Sequence, residues 1–209
     1  MNRPYVRLKT QQTAMLCAHY MHYKGFEPAT IVNAGVGMCP EITIWRWLYN
    51  DAKVIGADPM PWEEELKDRI PRSDYIQALF GPETGCTRDY CTKCRSIMCL
   101  KPKRVAKHRR DGLIKKVRQT TIDKEVRKQT PPFFLWIDVD GAELEVLKGA
   151  AETLKHTGFV NVEMIWDPPE YDNIYKDGTL VSSVHSFLLE HGFTEVLRTP
   201  FRDSLYEKR

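Results

Sequence analysis

Three acids, Asp138, Asp140 and Glu143, fall within six residues, directly after the apolar run Phe133–Ile137 and around Gly141. In an open α/β sheet, ligands bind just outside the carboxyl ends of strands. A carboxylate there can take the proton of a reacting hydroxyl at ~2.6–3.2 Å. Asp138 is therefore the first candidate base, with Asp140 and Glu143 second. Capping competes as an explanation for the latter two, since an acid in a first helical turn stabilises the helix by ~0.3–1 kcal/mol. Carboxylates also suit Mg²⁺, although two acids are not a metal signature. His108, His185 and His191 are weaker candidates. His191, just before Gly192, reads as a helix-end group.

A second constellation begins at Gly35-Val36-Gly37, after the apolar run Thr30–Asn33 and before Pro40. A Gly-x-Gly turn between strand and helix lets backbone approach a ligand with no Cβ in the way. Asp58 ends the next apolar run, Val54–Ala57, 23 positions after Gly35. A charged acceptor there can hold both ribose hydroxyls, each bond worth ~1.5–3 kcal/mol. The competing reading is an ordinary tight turn. Pro40 occupies the place of the third glycine of the dinucleotide fingerprint, which argues against a pyrophosphate and hence NAD. An adenosyl ligand without phosphates fits better.

A third group is Cys86, Cys91, Cys94 and Cys99, four thiols within 14 residues. Zinc takes four thiolates in a tetrahedron, and Cys-x2-Cys is a common half-site. A structural zinc on these four stands against reduced thiols packed as small hydrophobes. Next comes the stretch Lys101–Lys128, with twelve Lys or Arg against three acids, in a chain whose net charge is +3. Such a segment is either solvated or an anion-facing surface. No aromatic side chain lies between Cys91 and Lys128 for base stacking, which ranks nucleic acid below a small or glycan acceptor, anionic ones included.

The elements that must position these groups follow from periodicity. A helix is predicted over Arg7–Tyr23, with Leu8, Met15, Leu16, Ala18 and Met21 on one face. Strands are predicted at Thr30–Asn33, Val54–Ala57, Tyr75–Leu79, Val117–Ile122, Phe133–Asp138, Phe159–Met164 and Thr194–Leu197, with Asp203–Glu207 closing a final hairpin. Helices are predicted after Pro40, over Ala142–Leu154 and over Val181–His191. Strands alternating with helices imply a mostly parallel α/β sheet with an antiparallel end.

With 209 residues, 42% hydrophobic and 28% charged, the chain suits one domain with an insertion and is no disordered segment. No run of ~18 uncharged apolar residues suggests a membrane span. No secretory signal is visible, so a cytoplasmic, reducing setting is expected.

The stretches Thr30–Gly37, Val54–Pro59, Thr121–Asp123 and Trp136–Ala150 (WIDVDGAELEVLKGA) together resemble the FkbM family of S-adenosylmethionine (SAM)-dependent methyltransferases. Val162-Glu163 and the stretch Leu188–Phe193 fit as well. The resemblance implies a class I, Rossmann-like methyltransferase fold over 30–209: seven strands, one antiparallel, with helices on both faces. Residues 1–29 would be a helical segment packing on it, and about 81–130 a Cys-rich, basic insertion. It further implies that Asn33, Ala34, Gly35, Gly37 and Met38 cradle the methionine part of SAM. Asp58 and Pro59 would lie by the ribose, Leu79 and Phe80 by the adenine, and Asp138 near the methyl group. The implied activity is methylation of a hydroxyl on a small molecule, glycan or natural product. A catalytically weak SAM-binding protein and a nucleic-acid methyltransferase are the alternatives. Asn33 stands where the family usually has Asp, Asp58 and Asp140 where Glu is common, and Trp136 where Lys is usual. Trp136 is expected to alter the acceptor pocket.

Overall fold

The computed structural model describes residues 3–37, 40–63, 66–93, 102–164, 181–199 and 203–209, with side chains from residue 10 in the first helix and from residue 105 in the third. Among the described residues, ten strands and six α-helices follow one another as α1 (Arg3–Tyr23), β1 (Thr30–Ala34), α2 (Pro40–Leu48), β2 (Lys53–Asp58), β3 (Tyr75–Gln77), β4 (Leu79–Phe80), β5 (Thr87–Cys91), α3 (Pro102–Arg110), β6 (Ile114–Thr120), α4 (Ile122–Val126), β7 (Phe133–Ile137), α5 (Glu143–Lys148), β8 (Thr157–Glu163), α6 (Val181–Glu190), β9 (Phe193–Arg198) and β10 (Asp203–Lys208).

Seven strands form one sheet in the order β3-β2-β1-β7-β8-β10-β9. All are parallel except β10, which runs antiparallel to both its neighbours. The apolar runs of β1 and β7 are buried on both faces, as central parallel strands require. One face (Val32, Ala34, Leu135, Ile137, Val160, Val162) packs with Val146, Leu147, Val184 and Leu188 of α5 and α6. The other (Ile31, Val54, Phe134, Trp136, Leu205) packs with α1 and α2. The chain leaves β1 toward β2 and β3, then returns on the other side at β7. The topological switch therefore lies between β1 and β7.

Four expectations change. α1 buries Thr13, Ala14, Cys17, Ala18 and Met21, whereas Leu16 is 44% exposed. Small side chains let the helix lie close to the sheet, so its buried stripe is not its bulkiest one. The strand expected at Tyr75–Leu79 breaks at Ala78, whose N–H bonds the Ile76 carbonyl at 2.9 Å in a three-residue turn. β3 stays in the large sheet, and β4 joins a three-stranded sheet of order β4-β6-β5. β6 starts at Ile114, before the expected Val117, because its outward positions carry Lys115, Lys116 and Arg118 and hide the alternation. The helix expected over Ala142–Leu154 ends at Lys148. A Cβ on Gly149 would lie 2.0 Å from the Gly81 carbonyl oxygen, so the backbone passes tightly there. A 3-10 turn then spans Thr153–His156, with Asp123 accepting the Glu152 and Thr153 amides at 3.0 and 2.7 Å.

α1 packs on the same sheet face as α2. Among the described residues, no helix is long and apolar enough to cross a membrane.

Candidate functional site

The turn after β1 and the end of β7 meet at the switch. Gly35 has φ +89°, and a Cβ there would sit 1.7 Å from the Asp138 carbonyl oxygen. Only glycine fits both the backbone and that approach. The Asp138 amide donates to the Ala34 carbonyl at 2.9 Å, which extends the β1–β7 ladder past its last residues. Gly37 also has positive φ, +50°. Its amide donates to Asp58 Oδ2 at 3.0 Å, and the Met60 amide donates to Asp58 Oδ1 at 2.8 Å. A carboxylate has about four acceptor sites. These two amides hold Asp58 in one orientation at the rim of the glycine turn. A glycine-flanked turn beside an oriented carboxylate fits an adenosyl ligand.

Asp138, Asp140 and Glu163 each offer a carboxylate oxygen, and the three lie within 4.8 Å of one another. Such a group can share protons or hold a hard cation. Burial raises the Asp138 carboxyl well above its usual range, and the Glu163 charge and hydrogen bond, then Asp140 and Asp203, push the same way. Asp140 has φ +54° and is the one non-glycine residue with positive φ among those described. Aspartate tolerates that conformation better than most residues, at a cost of order 1 kcal/mol, and strain of this kind gathers at functional turns. Glu143 is buried and accepts the Gly141 amide at 2.8 Å. Burial lifts its carboxyl to about 8. The Glu143 carboxylate thus closes the Asp140–Gly141 turn.

Glu163 went unselected in the sequence because it lies far from the Asp138 motif. The sheet order supplies it: β8 neighbours β7, and Trp136 pairs with Asn161. Two residues further on, Asp138 and Glu163 follow on the same face. Asp203, opposite Glu163 on β10, extends the row. It accepts Asn161 Nδ2 at 3.0 Å and Thr13 Oγ1 of α1 at 3.3 Å, and burial lifts its carboxyl to about 7.

Asn33 Nδ2 donates to Glu41 Oε1 at 2.6 Å, and Asn33 Oδ1 is buried without a hydrogen-bond partner. Burial lifts the Glu41 carboxyl to about 7. An acid therefore stands beside the strand tip despite the amide at position 33, supplied from α2. Trp136 does not reach an acceptor pocket. Strand alternation turns its indole to the α1/α2 face, where it packs on Trp45 with ring centroids 5.3 Å apart. Ala34 is buried and Pro59 is partly exposed. Phe80 packs in the sheet core, leaving Leu79 as the more exposed of that pair. Met38 lies outside the described residues. His191 Nδ1 lies 2.8 Å from the Phe187 carbonyl, a helix-end contact, and His185 Nδ1 lies 3.1 Å from the Tyr206 hydroxyl.

The four cysteines do not form one set. Cys86 and Cys91 flank and end β5, and five residues of strand span roughly 16 Å. Sulfurs sharing one zinc at about 2.3 Å must lie within roughly 4 Å of each other. Cys86 and Cys91 therefore cannot bind the same ion. Cys94 and Cys99 lie outside the described residues. Cys91 instead meets His108, with Sγ and Nδ1 3.2 Å apart.

The family model described as the methyltransferase FkbM domain matches residues 54–195. Among solved structures, the chain is similar to a methyltransferase FkbM from Methylobacillus flagellatus KT, at 14% identity and TM-score 0.48, covering 86% of this chain and 43% of that one. It is also similar to a 1,6-didemethyltoxoflavin-N1-methyltransferase from Burkholderia thailandensis, whose structure holds S-adenosylhomocysteine, at 12% identity and TM-score 0.50, covering 96% and 80%. An O-methyltransferase family protein from Burkholderia thailandensis matches at 9% identity and TM-score 0.47, covering 95% and 56%. The chain thus spans less than half of the Methylobacillus protein. No curated protein matches it. The match over 54–195 covers more than half of the sequence, and the chain belongs to the FkbM family of SAM-dependent methyltransferases.

Proposed function

We propose that this FkbM-family chain methylates a hydroxyl oxygen of a small molecule, glycan or natural product, with Asp138 as the base. The observation that carries the reading is the convergence of the Gly35–Gly37 turn, the oriented Asp58 and the Asp138–Asp140–Glu163 group at the carboxyl ends of four adjacent strands. SAM supplies a methyl group already activated on a sulfonium, so the protein's share of the work is positioning and proton removal. Asn33 to Gly37 cradle the methionine part through backbone. Asp58 accepts the ribose hydroxyls, and Leu79 borders the adenine.

Asp138 would take the acceptor's proton as its oxygen bonds the methyl carbon and the carbon–sulfur bond of the sulfonium breaks, leaving a neutral thioether. A raised carboxyl is a stronger base than an ordinary one, which suits a hydroxyl acceptor. Positive charge entering the site offsets the repulsion from Glu163 and Asp140, so cofactor binding helps Asp138 ionise. Asp140 and Glu163 hold that charge balance, and Glu143 keeps the Asp140–Gly141 turn closed.

An anionic acceptor could approach past the basic segment. Several of its cations are already engaged: Arg109 and Lys116 with Asp89 at 2.9 Å each, and Arg118 with Glu125 at 3.3 Å. This pairing favours a small acceptor over a nucleic acid.

The test is calorimetric titration with SAM and S-adenosylhomocysteine, followed by transfer of labelled methyl to a panel of hydroxylated and amine acceptors. Binding with transfer to oxygen supports the reading. Transfer to nitrogen alone would move the assignment, and absent binding would sink it.

A further inference from the structure

Building on the methyltransferase reading, we propose that Asn33 and Glu41 together seat the ammonium of SAM's methionine part, with Asn33 Oδ1 as its acceptor and Glu41 as the counter-charge that orients the amide. The strand tip then draws its acid from α2. Glu41 lies in the first turn of that helix, directly after the glycine turn.

Asn33 is fully buried on β1, two residues before Gly35. Its Nδ2 donates to Glu41 Oε1 at 2.6 Å, while its Oδ1 is buried with no hydrogen-bond partner among the described residues. Leaving a buried acceptor unpaired is unfavourable. Turning the amide over would not relieve it, because Oδ1 would then face an ionised Glu41 with two acceptors opposed. The carboxylate thus fixes which end of the amide stands open. An ammonium is the complementary group, since it carries donors only.

Glu41 supplies the second argument, because packing alone does not call for an acid there. The residue is buried, and burial lifts its carboxyl to about 7. Asn33, the backbone amide of Glu41 and Arg69 pull the carboxyl down without offsetting that burial. Asp203 on β10 is close enough to feel the Glu41 charge, and the two acids repel. A glutamine would accept the Asn33 amide equally well and avoid the desolvation of a charge. A cation that arrives with the ligand accounts for the acid. Ammonium and carboxylate then bracket the Asn33 amide, one at Oδ1 and one at Nδ2, inside a region where charges are little screened. Glu41 acts through Asn33 and is a positioning residue.

The experiment titrates the full chain by calorimetry at pH 8 with S-adenosylhomocysteine and with 5′-methylthioadenosine. The second compound keeps the nucleoside and the thioether and lacks the amino-acid end. The wild type is expected to bind S-adenosylhomocysteine more tightly. Glu41→Gln is expected to weaken that compound about tenfold and to leave methylthioadenosine unchanged, with no loss in denaturant midpoint. The double variant Asn33→Asp with Glu41→Gln moves the charge onto the strand and keeps a hydrogen bond between the two side chains. It is expected to restore the wild-type affinity for S-adenosylhomocysteine. Unchanged affinity in Glu41→Gln, an equal loss for both compounds, or no rescue by the double variant would each overturn the proposal. A wild type that binds the two compounds alike would overturn it too, while leaving the methyltransferase reading in place. A wild type that binds neither would overturn that reading and this inference with it.

Discussion

The strand-tip site and the β5–α3–β6 unit hold their reactive groups by opposite means. At the strand tips, two apolar layers press on the sheet from both faces. That packing can force acids together, and it buries Glu41, Glu143 and Asp203. Asp138, Glu143, Asp203 and Glu41 are all pushed upward, with burial as the largest cause in each. In the small unit, by contrast, β6 is exposed or half-buried until Gln119, and four of the six described side chains of α3 are exposed. There the buried contact between Cys91 and His108, 3.2 Å apart, joins α3 to the end of β5. A core can impose chemistry on its side chains, whereas a thinly packed unit leaves most of its charges in water.

The sharpest way to break the first half of this comparison is Gly35→Ala. The added methyl would occupy the Asp138 carbonyl, so β1 and β7 must part at their tips. Loss of the cooperative unfolding transition, or a fall of several kcal/mol in denaturant stability, is expected. Asp138→Asn comes next. It leaves the strand register in place and is expected to lower turnover by about 10²–10⁴-fold with little change in SAM affinity, read by comparing labelled-methyl transfer with calorimetry. Asp58→Ala removes acceptors for the ribose and frees the Gly37 and Met60 amides. SAM affinity is expected to fall by about 10²-fold, at ~1.5–3 kcal/mol per lost charged bond.

The smallest effect is on pH. Glu41 and Asp203 sit at about 7 and Glu143 at about 8, above ordinary values of 4.5, 3.8 and 4.5. The folded chain therefore binds more protons than the unfolded chain between about pH 4 and 8. Stability from these groups is full below that window and declines as pH rises through it. Denaturant midpoints are expected to be lower at pH 8 than at pH 5. Glu41→Gln should recover part of the difference, about 1–3 kcal/mol at pH 8.

The central strands were legible in the sequence because parallel strands buried on both faces read as unbroken apolar runs. The Asp138 motif and the glycine turn were legible because each is local. Glu163 and Asp203 were not, since nothing in their neighbourhood marks them as partners of Asp138. Only the strand order β7-β8-β10 brings them into a row. The fate of Cys86 turns on the same point from the other side: four close thiols look like one set until an extended strand separates the first two. Trp136 misled because it stands where the family usually has Lys, whereas strand alternation decides which face receives it.

The bond from Thr13 to Asp203 joins positions 190 residues apart in sequence. Asp203 is also a neighbour of Glu163 in register. During synthesis the helix that will cover this corner emerges early, while the strand that must meet it emerges late. Until then, Asn161 and Glu163 face an open edge. A ribosome-bound chain halted before residue 203 lacks Asp203 and its bond to Thr13, so the α1 corner locks only when β10 arrives.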